Sequence, residues 1–389
     1  MQSAHSGVRA MNAPVRVLIV DDSSLARNML SKILGNDPGI EVVGTATDPY
    51  SARGKIKQLK PDVLTLDVQM PKMDGITFLE NLMRLHPMPV VMISCMTTNG
   101  ADITLQALEI GAIDFVTKPK LEDERDMDSY ANEVISKVKV AASSNVRSLS
   151  RQISNKNNYK ISPYSNPVKV SPQADVSTAK TTDSIIAIGA STGGTEAIRE
   201  ILTTLKHTSS AIMITQHIPA LFSAPFAARL NAASAMTVCE AQDGQLILQG
   251  HVYVAKGDRH LRIIRDGAHF RCKLDDSAPV NMHRPSVDVL FQSVAEVIGT
   301  RAIGVLLTGM GRDGASGLKL LKNSGAVTIA QDKDTSLIWG MPGAAVKLGA
   351  ADYILPLGKI SAALTTHSQG MEENRNHTKS PVTTVVQHF

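Results

Sequence analysis

The chain has 389 residues, of which 43% are hydrophobic and only 4% aromatic, and it carries a formal net charge of +4 at pH 7. That length holds about two domains, and a mild basic excess without a long basic run argues against a nucleic-acid partner. Three scattered cysteines, Cys95, Cys239 and Cys272, argue against a disulfide framework or a zinc site, and the lack of a signal core or an apolar run of about 18 residues predicts a soluble, cytoplasmic protein without direct membrane insertion.

Residues 15–140 alternate short apolar strands with amphipathic helices. Strands are predicted over 15–20, 41–46, 63–66, 90–93 and 114–117, with helices between them (24–34 and 75–85 among them) and a last helix over 130–140. Five strands alternating with five helices predict a doubly wound five-stranded parallel sheet of the α/β class. The carboxyl ends of such strands share one edge, where ligands bind. That edge would gather Asp21 and Asp22, Asp67, Ser94, and Lys118 with Pro119. Three clustered carboxylates repel one another unless a cation neutralises them, and oxygen-only ligands favour Mg²⁺. A divalent ion held by Asp22, Asp67 and the Gln69 backbone carbonyl would leave one Asp67 oxygen to attack a phosphoryl group, with the metal and Lys118 offsetting the developing charge.

This set, with Met70-Pro71 and Met73-Asp74-Gly75 following Asp67, resembles the response-regulator receiver domain. The resemblance implies that Asp67 is phosphorylated by a partner histidine kinase. It implies further that Asp21 and Asp22 hold Mg²⁺ (Asp21 through water), that Ser94 senses the phosphoryl group and that Lys118 pairs with it. Phe115 stands where receivers often carry an aromatic switch residue, and it brings no hydroxyl to that place.

Residues 141–182 are dominated by Ser, Asn, Lys and Pro and lack apolar periodicity, which predicts a flexible linker. A second α/β pattern spans 183–365. Strands over 185–188, 211–215 and 303–307 predict a mainly parallel sheet, while Gly-punctuated segments at 246–248, 251–254 and 261–264 predict an antiparallel hairpin element beside it. Residues 366–389 read as a polar, mobile tail.

The turn Gly189-Ala190-Ser191-Thr192-Gly193-Gly194 stands between the apolar strand at 185 and an amphipathic helix from Thr195. Backbone N–H groups at a helix start are unpaired and the dipole is positive there, which suits a serine nucleophile whose substrate oxygen becomes an anion. Taken alone the turn also reads as a phosphate or dinucleotide site, although Ser191 interrupts the Gly-x-Gly-x-x-Gly spacing, or as a tight structural turn. A base is supplied by His217, in Gln216-His217-Ile218-Pro219 after the next strand, which a right-handed βαβ unit would place alongside. His251, His260, His269 and His283 lie in the hairpin region or near a helix start and rank behind it. Strand 303–307 runs into Thr308-Gly309-Met310-Gly311-Arg312-Asp313-Gly314, which brings Asp313 to the same edge, either to orient His217 or to cap the helix that follows. The order Ser, His, Asp differs from that of α/β-hydrolases, but triads are recognised by roles. Backbone N–H groups near Thr192 and at Met310 would cradle the oxyanion.

Together with Arg284-Pro285-Ser286-Val287-Asp288 and Gly340-Met341-Pro342, these motifs resemble the catalytic domain of chemotaxis protein-glutamate methylesterases, and the receiver completes that family's architecture. The resemblance implies hydrolysis of γ-methyl esters on methyl-accepting chemotaxis receptors with release of methanol, deamidation of particular receptor glutamines, and sensory adaptation. It also implies a chemotaxis histidine kinase as phosphodonor, Mg²⁺ for receiver phosphorylation and no cofactor for hydrolysis. Arg284, Ser286, Asp288 and the Met341-Pro342 loop would shape the substrate cleft. Two other classes compete: a receiver adaptor whose second domain only binds receptors, which would tolerate Ser191→Ala, and a dinucleotide-binding oxidoreductase, which would bind nicotinamide.

A receiver joined to a hydrolase predicts that the unphosphorylated receiver covers the Ser191 edge. A fragment from Asp183 onward is then expected to release methanol faster than the unphosphorylated full chain, and equal rates would refute the idea.

Overall fold

In a computed structural model, the residues described are 13–70, 73–94, 97–119, 124–144, 181–205 and 210–379. They form two compact units, divided within the 145–180 segment, which lies outside the described residues together with most of the predicted linker. Each unit is taken by itself.

The first unit holds β1 (Val15–Val20), α1 (Ser24–Gly35), β2 (Ile40–Ala46), α2 (Pro49–Leu59), β3 (Val63–Asp67), α3 (Gly75–Leu85), β4 (Val90–Ser94), α4 (Thr98–Ile110), β5 (Asp114–Thr117) and α5 (Glu124–Ala142). The sheet is parallel with order β2-β1-β3-β4-β5. Both β3 and β4 are buried along their whole length, as expected of parallel strands covered by helices on both faces. Capping side chains start the helices: Ser23 accepts the Ala26 N–H, Asp48 those of Tyr50 and Ser51, and Asp74 that of Thr77. The last helix begins six residues before the predicted start at 130.

The second unit is built on a seven-stranded, wholly parallel sheet. At its centre is β6 (Ile185–Ala190), flanked by β7 (Ala211–Gln216) and β12 (Ala302–Leu306). Beyond β12 lie β13 (Val327–Gln331) and β14 (Tyr353–Leu355), and beyond β7 lie β9 (His251–Val254) and β8 (Thr237–Glu240). The helices are α6 (Gly194–Thr204), α7 (Ala220–Ala233), α8 (Val287–Val297), α9 (Ala315–Asn323), α10 (Met341–Lys347) and α11 (Leu357–Lys379).

An antiparallel pair, β10 (His260–Asp266) with β11 (His269–Asp275), stands apart from that sheet. Its inner side chains Leu261, Ile263, Phe270 and Cys272 are buried in one cluster with Leu290, Phe291 and Val294 of α8. The hairpin element is therefore real, but its membership differs from the prediction. Segment 251–254 is a parallel strand of the main sheet, and 246–248 makes only isolated bridges to Thr181 and Arg271. The apolar run His251–Val254 is needed between β7 and β8, where its burial on both faces removes the alternation a hairpin strand would show. A second difference is at the carboxyl end. Residues 366–379 of the predicted tail continue α11, which is anchored by buried Ile360 and Leu364 and by Ser368 near Ser210, while 380–389 lie outside the described residues. Among the described residues, no helix is long and apolar enough to cross a membrane.

Ile188 on the central strand is wholly buried between Ile214 and Val305. Ile188→Ala is expected to destabilise the second unit by about 2–5 kcal/mol, read as an earlier urea transition of that unit.

Candidate active site

Register places two of the predicted residues side by side. Ala190 pairs with Gln216 across β6 and β7, so Ser191 and His217 are the next residues on adjacent strands. The backbones are tied there: the His217 N–H donates to Ala190 O (3.1 Å), the Gln216 side-chain amide to Ser191 O (2.9 Å), and the Ser191 N–H to Thr308 O (3.0 Å). The Gly194 N–H is spent on Ser191 O (2.7 Å), so neither it nor that of Ser191 serves an oxyanion. Gly309 lets the β12 loop approach, since a Cβ there would lie 2.7 Å from Ser191 Cβ. The Gly309 carbonyl accepts the N–H groups of Gly340 and Met341, which turns the Met310 N–H of the same trans peptide to the opposite side. Thr192 is buried and its carbonyl accepts the Thr308 hydroxyl; Met310 is exposed.

Asp313 and His217 are hydrogen-bonded: Oδ2 lies 2.9 Å from Nε2. It also accepts the Ser286 hydroxyl (2.7 Å), the Asn281 side-chain amide (2.8 Å) and the N–H groups of Val287 (2.6 Å) and Asp288 (3.3 Å). The carboxylate thus sits on the N-terminus of α8, where the dipole favours negative charge. Burial alone would push its pKa up. The hydrogen bond and charge of His217, together with the Asn281 and Ser286 donors, overcome it and hold the carboxyl well below the ordinary range. A carboxylate can only accept, so Nε2 carries the proton, and Nδ1 is the basic nitrogen. Nδ1 is buried and makes no hydrogen bond.

Capping therefore runs across the two helices. Gly314, not Asp313, precedes α9, and no side chain of its own caps that helix. Asp288 in the first turn of α8 accepts the Gly317 N–H of α9 (2.6 Å), while Asp313 before α9 holds the start of α8. Val287 wedges between the two loops: a Cβ on Gly189 or on Gly314 would meet its Cγ1 at 2.1 and 2.5 Å. Both motif glycines are needed for that approach.

Ser286 and Asp288, read from sequence as cleft residues, act on Asp313 instead, and Arg284 donates to the carbonyls of Asp276 and Ser277. His260 is a buried structural histidine holding the Ser286 N–H and lying 3.1 Å from Ala278 O. His283, ranked behind His217, stacks on it with ring centroids 3.7 Å apart. Asn281 was not singled out by the sequence reading. Its available signal was an Asn-Met pair just before the Arg284-Pro285-Ser286 motif.

The first unit gathers its acidic set as predicted. Ligand oxygens of Asp21, Asp22 and Asp67 lie within 4.8 Å of one another. Lys118 Nζ stands 3.0 Å from Asp21 Oδ2 and 3.1 Å from Asp67 Oδ1. Burial, reinforced by the Asp21 charge, pushes Asp67 up to about 6 despite Lys118. For Lys118, burial pulls downward, and Asp67 with Asp21 overcomes it. Asp21 Oδ2 is buried with no aligned hydrogen bond, and Gln69 lines the same open cavity as Asp22, Asp67 and Lys118. All donors are oxygen, so the residues fit a hard divalent cation such as Mg²⁺. Ser94, fully buried, accepts the Thr104 hydroxyl at 2.8 Å. Gly75 is required beside this site, because a Cβ would lie 2.2 Å from Asp67 O. Phe115 is buried, with the Lys137 ammonium 5.1 Å from its ring centroid.

A family model described as CheB methylesterase matches residues 186–364, and one described as response regulator receiver domain matches 17–129. A protein-glutamate methylesterase/protein-glutamine glutaminase of Hydrogenovibrio crunogenus is 53% identical over 363 residues, covering 89% of this chain and 96% of that protein. One of Xanthomonas campestris pv. campestris is 55% identical over 354 residues, covering 91% and 97%. The crystal structure of the Thermotoga maritima CheB methylesterase catalytic domain is 39% identical over 46% of this chain and 96% of that one, with a TM-score of 0.46.

The depressed Asp313 pKa has a stability consequence. Its contribution is full above the unfolded value of about 3.9 and is lost as pH falls towards the folded value. Asp313→Asn is expected to cost about 1–3 kcal/mol near neutrality. The gap from the parent, measured by urea unfolding, should not shrink between about pH 8 and 5 and should narrow only below about 4.

Proposed function

This chain belongs to the protein-glutamate methylesterase/protein-glutamine glutaminase family, and we propose that Ser191, His217 and Asp313 perform its hydrolysis on chemotaxis receptors. The observation that carries this reading is the His217 ring: Nε2–H is committed to Asp313, and the remaining nitrogen is buried and unpartnered at the strand end next to Ser191.

Nδ1 takes the Ser191 hydroxyl proton as Oγ attacks the γ-carbonyl carbon of a glutamate methyl ester. Asp313 stabilises the imidazolium, and the backbone N–H groups of Thr192 and Met310 receive the oxyanion. The C–O bond to the methoxy group breaks, and the proton on Nδ1 leaves with methanol. Water, deprotonated by the same nitrogen, hydrolyses the acyl-enzyme and regenerates Ser191. A receptor glutamine follows the same path with ammonia as leaving group. The reaction needs no cofactor and runs in the cytoplasm, on the helical receptor region.

The first unit supplies control. Asp67 is the phosphoryl acceptor, a chemotaxis histidine kinase the donor, and Mg²⁺ would be held by Asp21, Asp22, Asp67 and the Gln69 carbonyl, where it would neutralise phosphoryl charge. Lys118 pairs with the phosphoryl group, and Ser94 exchanges its Thr104 bond for one to it. Phosphorylation of the receiver then raises hydrolase activity, which gives sensory adaptation.

Methanol release from methylated receptor membranes tests the scheme. Ser191→Ala is expected to lower it by at least about 10³-fold. A small phosphodonor should raise release by the parent but not by Asp67→Asn, and EDTA should remove that rise while leaving basal release intact. Full release by Ser191→Ala would overturn the serine mechanism.

A further inference from the structure

The segment Val280–His283 is a two-residue hairpin turn. The Val280 N–H donates to His283 O (3.1 Å) and the His283 N–H to Val280 O (2.9 Å). Both central residues are left-handed, Asn281 at φ 53° and Met282 at φ 65°. Two non-glycine residues in that region are costly, and such strain persists only where the surroundings impose it. Here the two ends of the turn both reach the hydrolytic group. Asn281 Nδ2 donates to Asp313 Oδ1 (2.8 Å) and to Asp288 Oδ2 (2.7 Å), and His283 stacks on the His217 ring.

The chemistry of that amide is specific. Asp288 and Asp313 cap each other's helices and stand as two like charges around one nitrogen. A donor-only group between them offsets their repulsion. Asparagine is among the residues that tolerate a left-handed backbone, so the amide stands there at a lower cost than most side chains would. Asn281 therefore ties the position of Asp313 to the same turn that holds the face of His217.

We infer that Asn281 is a positioning residue for the hydrolysis, aligning the Asp313 carboxylate with His217 Nε2 by bridging Asp313 to Asp288. The inference rests on the triad reading and goes beyond it, because Asn281 touches no reacting atom. A misalignment of about 1 Å at such a place can cost on the order of 10²-fold in rate.

The test uses the full chain and variants at Asn281, Asp313 and Ser191. Asn281→Gly keeps the left-handed backbone and removes only the amide, and Asn281→Asp keeps the shape but sets a third carboxylate against the other two. Asn281→Gly is expected to lower kcat for methanol release roughly 10- to 100-fold with KM within about twofold, and Asn281→Asp at least as much. The downfield proton resonance of the His217–Asp313 hydrogen bond should move or vanish in both. In an Asp313→Ala background, Asn281→Gly should cost less than about twofold more, since the acceptor it positions is gone. Unchanged kcat with an unmoved resonance, or effects that multiply in the double variant, would overturn the inference. Ser191→Ala run in parallel separates the two readings: if it alone loses activity the triad stands without Asn281, whereas if it retains activity the triad itself fails.

Discussion

One buried carboxylate organises the hydrolytic half of this protein. Asp313 has almost no exposure, and burial alone would neutralise it. Five donors from three places in the chain reverse that: His217, Asn281, and the start of α8 with its Ser286 hydroxyl and first N–H groups. An ionised acceptor of this kind dictates the histidine tautomer and leaves the other ring nitrogen for a proton. The rest of the unit serves that placement. Hairpin β10–β11 packs on α8, α8 presents its N-terminus, and Val287 lodges against Gly189 and Gly314. The serine turn and the acid loop are thereby locked to the same helix end.

The receiver solves a like-charge problem by other means. Three carboxylates share one strand edge, and Lys118 lies within about 3 Å of two of them. One ammonium cannot balance three carboxylates, so Asp67 remains pushed upward by burial and by Asp21. An excess of buried negative charge is what a divalent cation would relieve. Ser94, at the end of β4, and Thr104 are hydrogen-bonded to each other as a fully buried pair.

Both sites depend on parallel sheets, because only parallel strands bring all their carboxyl ends to one edge. Close approach at that edge is made by glycine. Gly75 clears the Asp67 carbonyl and Gly309 clears Ser191, and a Cβ at either would overlap the neighbouring atoms. The motif glycines of both halves are thus consequences of backbone packing around the acting side chains.

Much of this was legible in the amino-acid order. Parallel strands buried on both faces read as continuous apolar runs, so β1, β3–β7 and β12 were found to within about two residues, and the residues just past their ends fell at the correct edge. Asp67, Lys118, Ser191, His217 and Asp313 stand at or just past those strand ends, since local sequence dictates which residue follows a strand. Contacts between segments distant in the chain were not legible. That 251–254 joins the main sheet follows from a vacancy between β7 and β8, which no local pattern records. The exchange of caps between α8 and α9 joins residues 25 to 29 apart, and the only cap that local rules offer Asp313 is that of its own helix. Asn281 and His283 enter the site only because a left-handed turn carries them back to Asp313 and His217, and hydrophobic periodicity carries no information about such a turn. The sequence by itself determined the two sheets and the polar side chains that stand at their edges. The tertiary structure alone decided which polar partners hold that chemistry in register, because hydrogen bonds between remote segments exist only once the layers have packed.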